Sequence, residues 1–584
     1  MQADAATAAR RPALAGPRLR LRWALPAGFA GGLALAAAFP PAGIWPLAVA
    51  GPALLTVALS GRSLRAAFCT GLVFGLAFFF PLVYWVINLA WYAWVALAAA
   101  SALIFAVLAV VQRLLLRLPA WPLAVAGWWV AAEALRDRWP FGGFPWGRLA
   151  MSQAASPARA WAAIGGAPVL SFVVALAGAT LAWLLLTLLP PAAPRAERAD
   201  SALAAPPEEA AEPADPADPA GASLAAEPGT GPDLRRPRPG RAAGRRQTVL
   251  AALALAGAVG IAVLPAALPL DPVPHGSPTA EVAAIQGDVP RARSLISQLA
   301  NDYIVTQNHV TATDKLAAKV RNHQEPAPDI VIWPENSTDI DPRYGATYQQ
   351  IAGAAAAIGR PILVGAVLQN PQRNAGLLWL PGKGPVAMYV KRQLVPFGET
   401  LPLRGLISKI TSLTQLLPVN FTPGHSVNVF RVGQIRLGDV ICYEIGFDAL
   451  VRSDVAAGAN LLTMQTNDAT FEREGWITAE TGQQLEMARI RAVEHDRAVV
   501  VASTTGYSAI IAPDGNLIVS SGTWQQAELE ARVPLISYTT LADRTGPWPE
   551  YVIVALTVLA AAFAAVSAVR ARSANKPAGT PQGR

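Results

Sequence analysis

Hydrophobic positions follow two regimes along the chain. Through the first 190 residues they form long unbroken runs, at roughly 22–40, 43–60, 65–86, 89–112, 119–136 and 164–190, with two more at 247–267 and 549–569. A helix needs ~20 apolar residues to cross a ~30 Å hydrocarbon core, so the pattern predicts eight transmembrane helices. The second and fifth are short and carry Pro or Gly. Between 275 and 546 the runs shrink to strand length. "EVAAIQGDV", "PILVGAVLQ", "PVAMYVKRQL", "IRLGDVICYE", "NLLTMQTND" and "RAVVVAS" read as strands, and "YQQIAGAAAAIG" and "TGQQLEMARIRAVEHD" as helices. "YSAIIAPDGNLIVSSG" reads as a hairpin around its Pro-Asp-Gly-Asn turn. Strands interleaved with helices predict an α/β domain.

Composition strengthens the membrane reading: 53 % of residues are hydrophobic and 15 % charged, against the ~25 % charge usual in soluble proteins. A net charge of +8 would by itself suggest nucleic acid, but its distribution follows topology. With the Arg-rich start (Arg10, Arg11, Arg18, Arg20, Arg22) in the cytoplasm and the runs alternating, "GRSLR", "QRLLLR", the stretch Arg235–Arg246 and the tail "VRARSANK" fall on the same side. Arg138, Arg148 and Arg159, in the outward loop after the fifth run, are the exception. Both ends are therefore expected in the cytoplasm, with no nucleic-acid partner.

The organisation expected is a basic N-terminus (1–21), six spans in 22–190, a cytoplasmic loop (191–246), a seventh span (247–267), an extracytoplasmic α/β domain (275–546), an eighth span (549–569) and a cytoplasmic tail (570–584). The loop is dominated by Ala, Pro and acidic residues and is expected to be disordered. The first run resembles a signal peptide in its basic start and small residues; it is read as a retained anchor because the later alternation needs it. Two distant cysteines exclude a disulfide framework. Five scattered histidines offer no zinc spacing.

Cys69, inside the third run, reads as a helix-packing residue, whereas Cys442 lies in the extramembrane half. A lone thiol there is either a buried hydrophobe or a nucleophile. Neighbouring strands bear on the choice. "DIVIWPE" ends in Glu335, "AMYVK" in Lys391 with Glu399 in the following "RQLVPFGE", and "LGDVICYE" runs into Cys442, Tyr443 and Glu444. Sites in α/β sheets are built at carboxyl ends of strands. A carboxylate can take the thiol proton, and an ammonium favours the thiolate and stabilises the oxyanion formed on attack at a carbonyl. The Tyr443 N–H is a candidate second donor.

"WPE", "K-x4-PFGE" and "CYE", in this order, resemble the Glu-Lys-Cys triad of the nitrilase superfamily. Surrounded by eight spans, they resemble the apolipoprotein N-acyltransferase family of bacteria, as do "IQGDVP", "TND", "ARIRAVEHDRAVVVAS", "TGYSAIIAPDG" and, in the membrane half, "FPWGRLAMSQ". The resemblance implies an αββα sandwich, no cofactor, and a cell-membrane enzyme with its catalytic domain outside the cytoplasm. It implies acyl transfer from a phospholipid, through a Cys442 thioester, to the α-amine of a diacylglyceryl-cysteine apolipoprotein. Glu335 would be the base and Lys391 the oxyanion and orientation group. Glu399 would support the site or only anchor a loop; Tyr443 and Glu444 would flank the nucleophile, with Glu444 acting on substrate or only holding the turn. The chain departs from the family in carrying "RARSLISQL" where some members have a tryptophan, and "TTG" for "NTG". A membrane-tethered carbon-nitrogen hydrolase would use the same triad, and a transporter would instead carry ionisable groups in its spans, of which Glu133 and Arg136 are the main candidates. The stripe Leu403, Leu406, Ile407, Ile410, Leu413, Leu416, Leu417 has helical spacing and would pack on a core or dip into the bilayer.

Overall fold

The computed structural model describes residues 19, 21–189, 241–267, 273, 276–290, 295–409, 419–473, 475 and 479–574. Helices stand at all eight apolar runs: α1 (Leu21–Ala37), α2 (Leu47–Leu59), α3 (Leu64–Leu82), α4 (Trp91–Leu115), α5 (Trp121–Arg136), α6 (Trp161–Leu188), α7 (Arg241–Ala267) and a C-terminal helix (Trp548–Ala574). Five of them, α3, α4, α6, α7 and the C-terminal helix, are long and apolar enough to cross a membrane. With 17, 13 and 16 residues, α1, α2 and α5 are shorter. They pack against neighbouring helices, α1 on α2 and α3, α2 on α6, and α5 on α6, while α1 and α5 keep an exposed apolar face with Trp23, Phe29 and Leu123. Residues 241–246, expected in the loop, begin α7; 191–240 and the tail from 575 lie outside the described residues.

Small residues set the closest helix contacts. A Cβ on Gly71 would lie 2.3 Å from the Cβ of Ala109, and one on Gly75 2.7 Å from the Cα of Ala102. Two glycines four apart thus let α3 lie directly on α4. Cys69, expected to pack between helices, is exposed on the outer face of α3. α6 breaks at Gly165–Gly166, where Gly166 has φ 73°, and resumes at Ala167.

The second half is two six-stranded sheets. Its strands are β1 (Thr279–Gln286), β2 (Ile330–Ile332), β3 (Ile362–Leu368), β4 (Arg373–Leu380), β5 (Gly384–Val390), β6 (Val429–Val432), β7 (Ile435–Ile441), β8 (Leu461–Thr466), β9 (Val499–Ser503), β10 (Ala509–Ile511), β11 (Leu517–Ser520) and β12 (Ala527–Pro534). The orders are β12-β1-β2-β3-β4-β5 and β11-β10-β9-β8-β7-β6. Its longer helices are α8 (Leu295–Arg321), α9 (Gly345–Ile358), α10 (Asp448–Ala456) and α11 (Ala479–His495), with short helical turns at Arg404–Ile407 and Leu541–Thr545; the C-terminal helix is α12.

Strand alternation assigns the layers. From β1, Val282 and Ala284 enter the core between the sheets, while Ala283 and Ile285 enter the outer core under α8 and α9. On the far side Val440, Met464 and Val501 join α11 and the membrane bundle in one continuous core. The α/β half is therefore packed on the helices rather than tethered to them. β4, β6, β12 and α8 were not marked by run length: α8 dilutes its apolar face with polar residues, and β4 follows β3 across a short turn. Of the Leu/Ile stripe, Arg404–Ile407 forms a short helix, and 410–418 lie outside the described residues.

Candidate active site

Three strand ends converge where the two sheets meet. Glu335 follows β2, Lys391 directly follows β5 and Cys442 directly follows β7. Lys391 Nζ lies 2.9 Å from Glu335 Oε1 and 3.0 Å from Glu399 Oε1. Asn374 on β4 donates to the same two oxygens at 2.6 and 2.7 Å. The backbone N–H of Asn467 donates to Glu335 Oε2 at 3.0 Å, and that of Val395 to Glu399 Oε2 at 2.8 Å. All the carboxylate oxygens of this box are thus engaged, and Lys391 is 1 % exposed. Burying an ammonium is costly unless it is paired and hydrogen-bonded, and here two carboxylates share it.

The electrostatics define the resting state. Burial pulls the Lys391 ammonium down, but Glu335, Glu399 and Cys442 outweigh it and hold the group charged, well above the ordinary lysine range. Burial pushes the Glu335 carboxyl up, against the pull of Lys391. Burial, then Glu335, pushes the Cys442 thiol well above its ordinary value, with Lys391 opposing. The thiol rests neutral and needs a base. Alkylation of Cys442 by iodoacetamide is therefore expected to keep rising about tenfold per pH unit beyond pH ~9, instead of levelling near the ~8.5 of a free cysteine. A plateau below that pH, measured by mass spectrometry of the Cys442 peptide, would contradict the neutral resting thiol.

Cys442 sits in left-handed backbone, φ 53°, at the sharp turn from β7 into the 3-10 turn Cys442–Gly446. That conformation costs a non-glycine residue of order 1–3 kcal/mol and persists only when its surroundings over-determine it. Glu444 supplies the restraint. Fully buried, it accepts from the N–H groups of Ile441 (2.8 Å), Arg392 (2.7 Å) and Gln393 (3.0 Å), and from Tyr389 Oη, 2.9 Å from each of its oxygens. This ties the cysteine turn to the strand end carrying Lys391. From α11, Gln484 Nε2 approaches Cys442 Sγ at 3.5 Å, while its Oε1 accepts from Thr466 Oγ1 at 2.9 Å.

Tyr443 faces the membrane half. Its hydroxyl donates to the Gly143 carbonyl at 2.6 Å, and its ring stacks on Trp146, centroids 5.4 Å apart and planes at 16°. Gly446 is required there: a Cβ on it would lie 2.6 Å from Pro145. Arg148 reaches Asp448 with two hydrogen bonds, 2.7 and 3.1 Å, and Asp448 also pairs with Arg491 at 2.5 Å. Arg491 in turn donates to the carbonyls of Ile445 and Gly446. "FPWGRLAMSQ" is thus the seat of the Cys442 turn. The arginines that break the charge pattern have contacts of their own: Arg148 here, Arg138 with Glu550 at 2.7 Å, and Arg159 with Asn516 at 2.9 Å.

Glu335, Lys391, Glu399, Cys442, Tyr443 and Glu444, the candidate site residues of the sequence, all lie at this junction. Asn374, Gln484 and Tyr389 were not singled out. Their signal is weak but physical: Asn374 is a lone amide in the apolar strand "RNAGLLWL", and α11 opens with Glu480, Thr481, Gln483 and Gln484, all buried.

Comparison with known proteins agrees with this division. The apolipoprotein N-acyltransferase N-terminal domain matches residues 31–180, and the carbon-nitrogen hydrolase domain matches residues 282–550. An apolipoprotein N-acyltransferase of Mycolicibacterium smegmatis is 37 % identical over 91 % of this chain and 83 % of its own length. One of Azotobacter vinelandii is 28 % identical over 96 % and 99 %. Among solved structures, an amidase from Nesterenkonia sp. is 20 % identical over 48 % of this chain and 98 % of its own, with a TM-score of 0.34.

Proposed function

The chain belongs to the apolipoprotein N-acyltransferase family, and on that premise we propose that it acylates lipoproteins in two steps through a thioester on Cys442. It is a membrane acyltransferase. Residues 275–546 carry the chemistry, held on the extracytoplasmic face by the spans in 22–190, 247–267 and 549–569; the one-sided distribution of basic loops supports that orientation.

In the first step Glu335 takes the Cys442 proton as the sulfur attacks the ester carbonyl of a phospholipid acyl chain. The oxyanion forms against the Lys391 ammonium and the Tyr443 N–H. It collapses as the lysophospholipid alkoxide leaves, taking the proton back from Glu335. In the second step the neutral α-amine of a diacylglyceryl-cysteine attacks the thioester, losing its proton to Glu335. Sulfur leaves as thiolate and regains that proton, which resets the site. Glu399 and Asn374 hold Lys391 and Glu335 in register; Glu444 keeps the strained turn, and Tyr443 fixes it to the membrane loop.

One observation carries the lipid reading: the nucleophile turn rests on Trp146, in the loop between two bundle helices. A thiol seated there meets acyl esters at the membrane surface, whereas an amidase of small substrates needs no such seat. The test is incubation of the purified protein with a phospholipid labelled in its acyl chain. A hydroxylamine-sensitive label on the Cys442 peptide is expected, then its transfer to the N-terminus of an added diacylated lipopeptide. No label, or label on another residue, removes the acyl-enzyme; release only as free fatty acid in the presence of lipopeptide makes the protein a hydrolase.

A further inference from the structure

The side chains of "TND" (466–468) and "TTG" (504–506) are not used by the reaction above. They border a buried polar network that ends on the nucleophile. Gln484, in the second turn of α11, places Nε2 3.5 Å from Cys442 Sγ. The other N–H of that amide goes to Glu480 Oε1, one turn back on the helix, and its Oε1 accepts from Thr466 Oγ1 at 2.9 Å. Both donors and the acceptor of the amide are therefore engaged. Turned over, it would set its own oxygen against Glu480 Oε1 and the sulfur.

The partners of Gln484 are held in turn. Asp468 accepts from Ser503 Oγ at 2.5 Å and from Thr466 Oγ1 at 3.2 Å. The Gly506 N–H donates to Ser503 Oγ at 2.8 Å, and a Cβ on Gly506 would lie 2.0 Å from Asp468 Oδ2. Thr504 Oγ1 donates to Asn467 Oδ1 at 2.8 Å, beside the N–H that holds Glu335. Glu480 and Asp468 hydrogen-bond side chain to side chain, and burial, then Asp468, pushes the Glu480 carboxyl well above its ordinary range. Two carboxyls bond in this way only by sharing a proton. Glu480 Oε2, buried with no other partner, therefore carries that proton toward Asp468 and leaves Oε1 as the acceptor for Gln484. The groups whose charge acts on the sulfur are Glu335 after β2, Lys391 after β5 and Glu480 on α11; the shared proton keeps the last of them neutral.

A thiol or thioester sulfur is a weak acceptor, whereas a thiolate takes a charge-assisted hydrogen bond. An N–H aimed at Sγ therefore acts mainly when charge develops there. We infer that Gln484 is a further catalytic residue, its Nε2–H stabilising the Cys442 thiolate as it forms and as it leaves the thioester, with Thr466, Glu480 and Asp468 positioning the amide. No proton passes through Gln484; the thiol proton still goes to Glu335. The two steps rest on the reading of the previous subsection, but the contact with sulfur does not, and the test keeps them apart. In full-length protein in micelles, Gln484→Met keeps the length of the side chain and removes the donor. Alkylation of Cys442 by iodoacetamide is measured over a range of pH, then its acylation by a phospholipid and transfer to a diacylated lipopeptide, all at a temperature where both proteins are folded. A hydrogen bond to a charged group is worth about 10–100-fold, so acylation and transfer should each slow by that factor. Alkylation at each pH should slow about 3–10-fold, less because the more basic thiolate is also the better nucleophile. Gln484→Asn, whose amide stops one methylene short of the sulfur, should shift the same rates in the same direction, and it decides the matter if the Met variant does not fold. A merely structural role would lower the thermal midpoint while leaving alkylation unchanged or faster, since a loosened site exposes the thiol; that result overturns the inference. If the wild type takes no acyl group from phospholipid, the acyl-enzyme reading falls, and the alkylation rates alone decide for or against Gln484.

Discussion

Replacing Glu335 by glutamine is expected to slow the acylation of Cys442 by phospholipid about 10²–10⁴-fold, the usual contribution of a positioned general base. The substitution keeps the shape of the side chain, and Lys391 keeps Glu399 at 3.0 Å as its counter-charge. With the amide oxygen turned to Lys391 and Asn374, only the Asn467 N–H loses its acceptor, so the main loss is one of proton transfer. A second readout separates this from simple damage. Glu335 is among the groups that push the Cys442 thiol up, so its neutralisation makes the thiol more acidic. The variant should alkylate with iodoacetamide at lower pH than the wild type while acylating far more slowly. A variant that acylates at the wild-type rate would remove Glu335 as the base. One that loses both reactions together would indicate a collapsed site.

The same residue fixes the acid side of the activity profile. Burial lifts the Glu335 carboxyl above its ordinary range despite Lys391. The base is lost by protonation as pH falls, so the acid limb of kcat/KM should lie above the ~4.3 of a free glutamate. Because Glu335, Lys391 and Cys442 act on one another, that limb belongs to the group and not to one carboxyl.

Run length marked a helix at each of the eight apolar runs, because an apolar helix in a bilayer must satisfy its backbone internally and so declares itself locally. It could not tell a spanning helix from a shorter one leaning on its neighbours, since α1, α2 and α5 owe their burial to tertiary packing. The meeting of Glu335, Lys391 and Cys442 was legible because each stands at the end of an apolar strand, where alternation stops and side chains gather. The environment of Glu444 was not legible: its four donors come from three separate points in the chain, Tyr389, Arg392–Gln393 and Ile441. Asn374 was missed for the same reason, one amide being no pattern. The outward arginines looked like noise in the charge rule because that rule counts charge and not partners. Arg148 is the clearest case, since it contacts acids from both halves of the molecule.

That position makes Arg148→Met the second large effect. The Arg148 side chain is 4 % exposed and reaches Asp448 at 2.7 Å, Asp137 at 3.3 Å and Glu133 at 3.9 Å. Asp448 would keep Arg491, and Glu133 would keep the Leu149 N–H at 2.8 Å. Asp137 would lose its ion pair with Arg148. Removing one partner of a buried ion cluster costs about 3–5 kcal/mol, mostly from the charge left behind. In a unit of about 270 residues that lowers the thermal midpoint by roughly 5–9 °C. The loss should be local in its consequences. The loop under Tyr443 and Gly446 loses the clamp that seats it, so phospholipid acylation should fall further than acylation by a soluble ester at a temperature where both proteins are folded. Arg148→Met combined with Asp137→Asn should recover part of the midpoint, because the two changes share one buried interaction and are not additive. Arg148→Lys, which keeps the charge but not the two-pronged contact with Asp448, should fall between. A variant melting with the wild type would mean that the buried Arg148 cluster contributes nothing to the seat of the Cys442 turn.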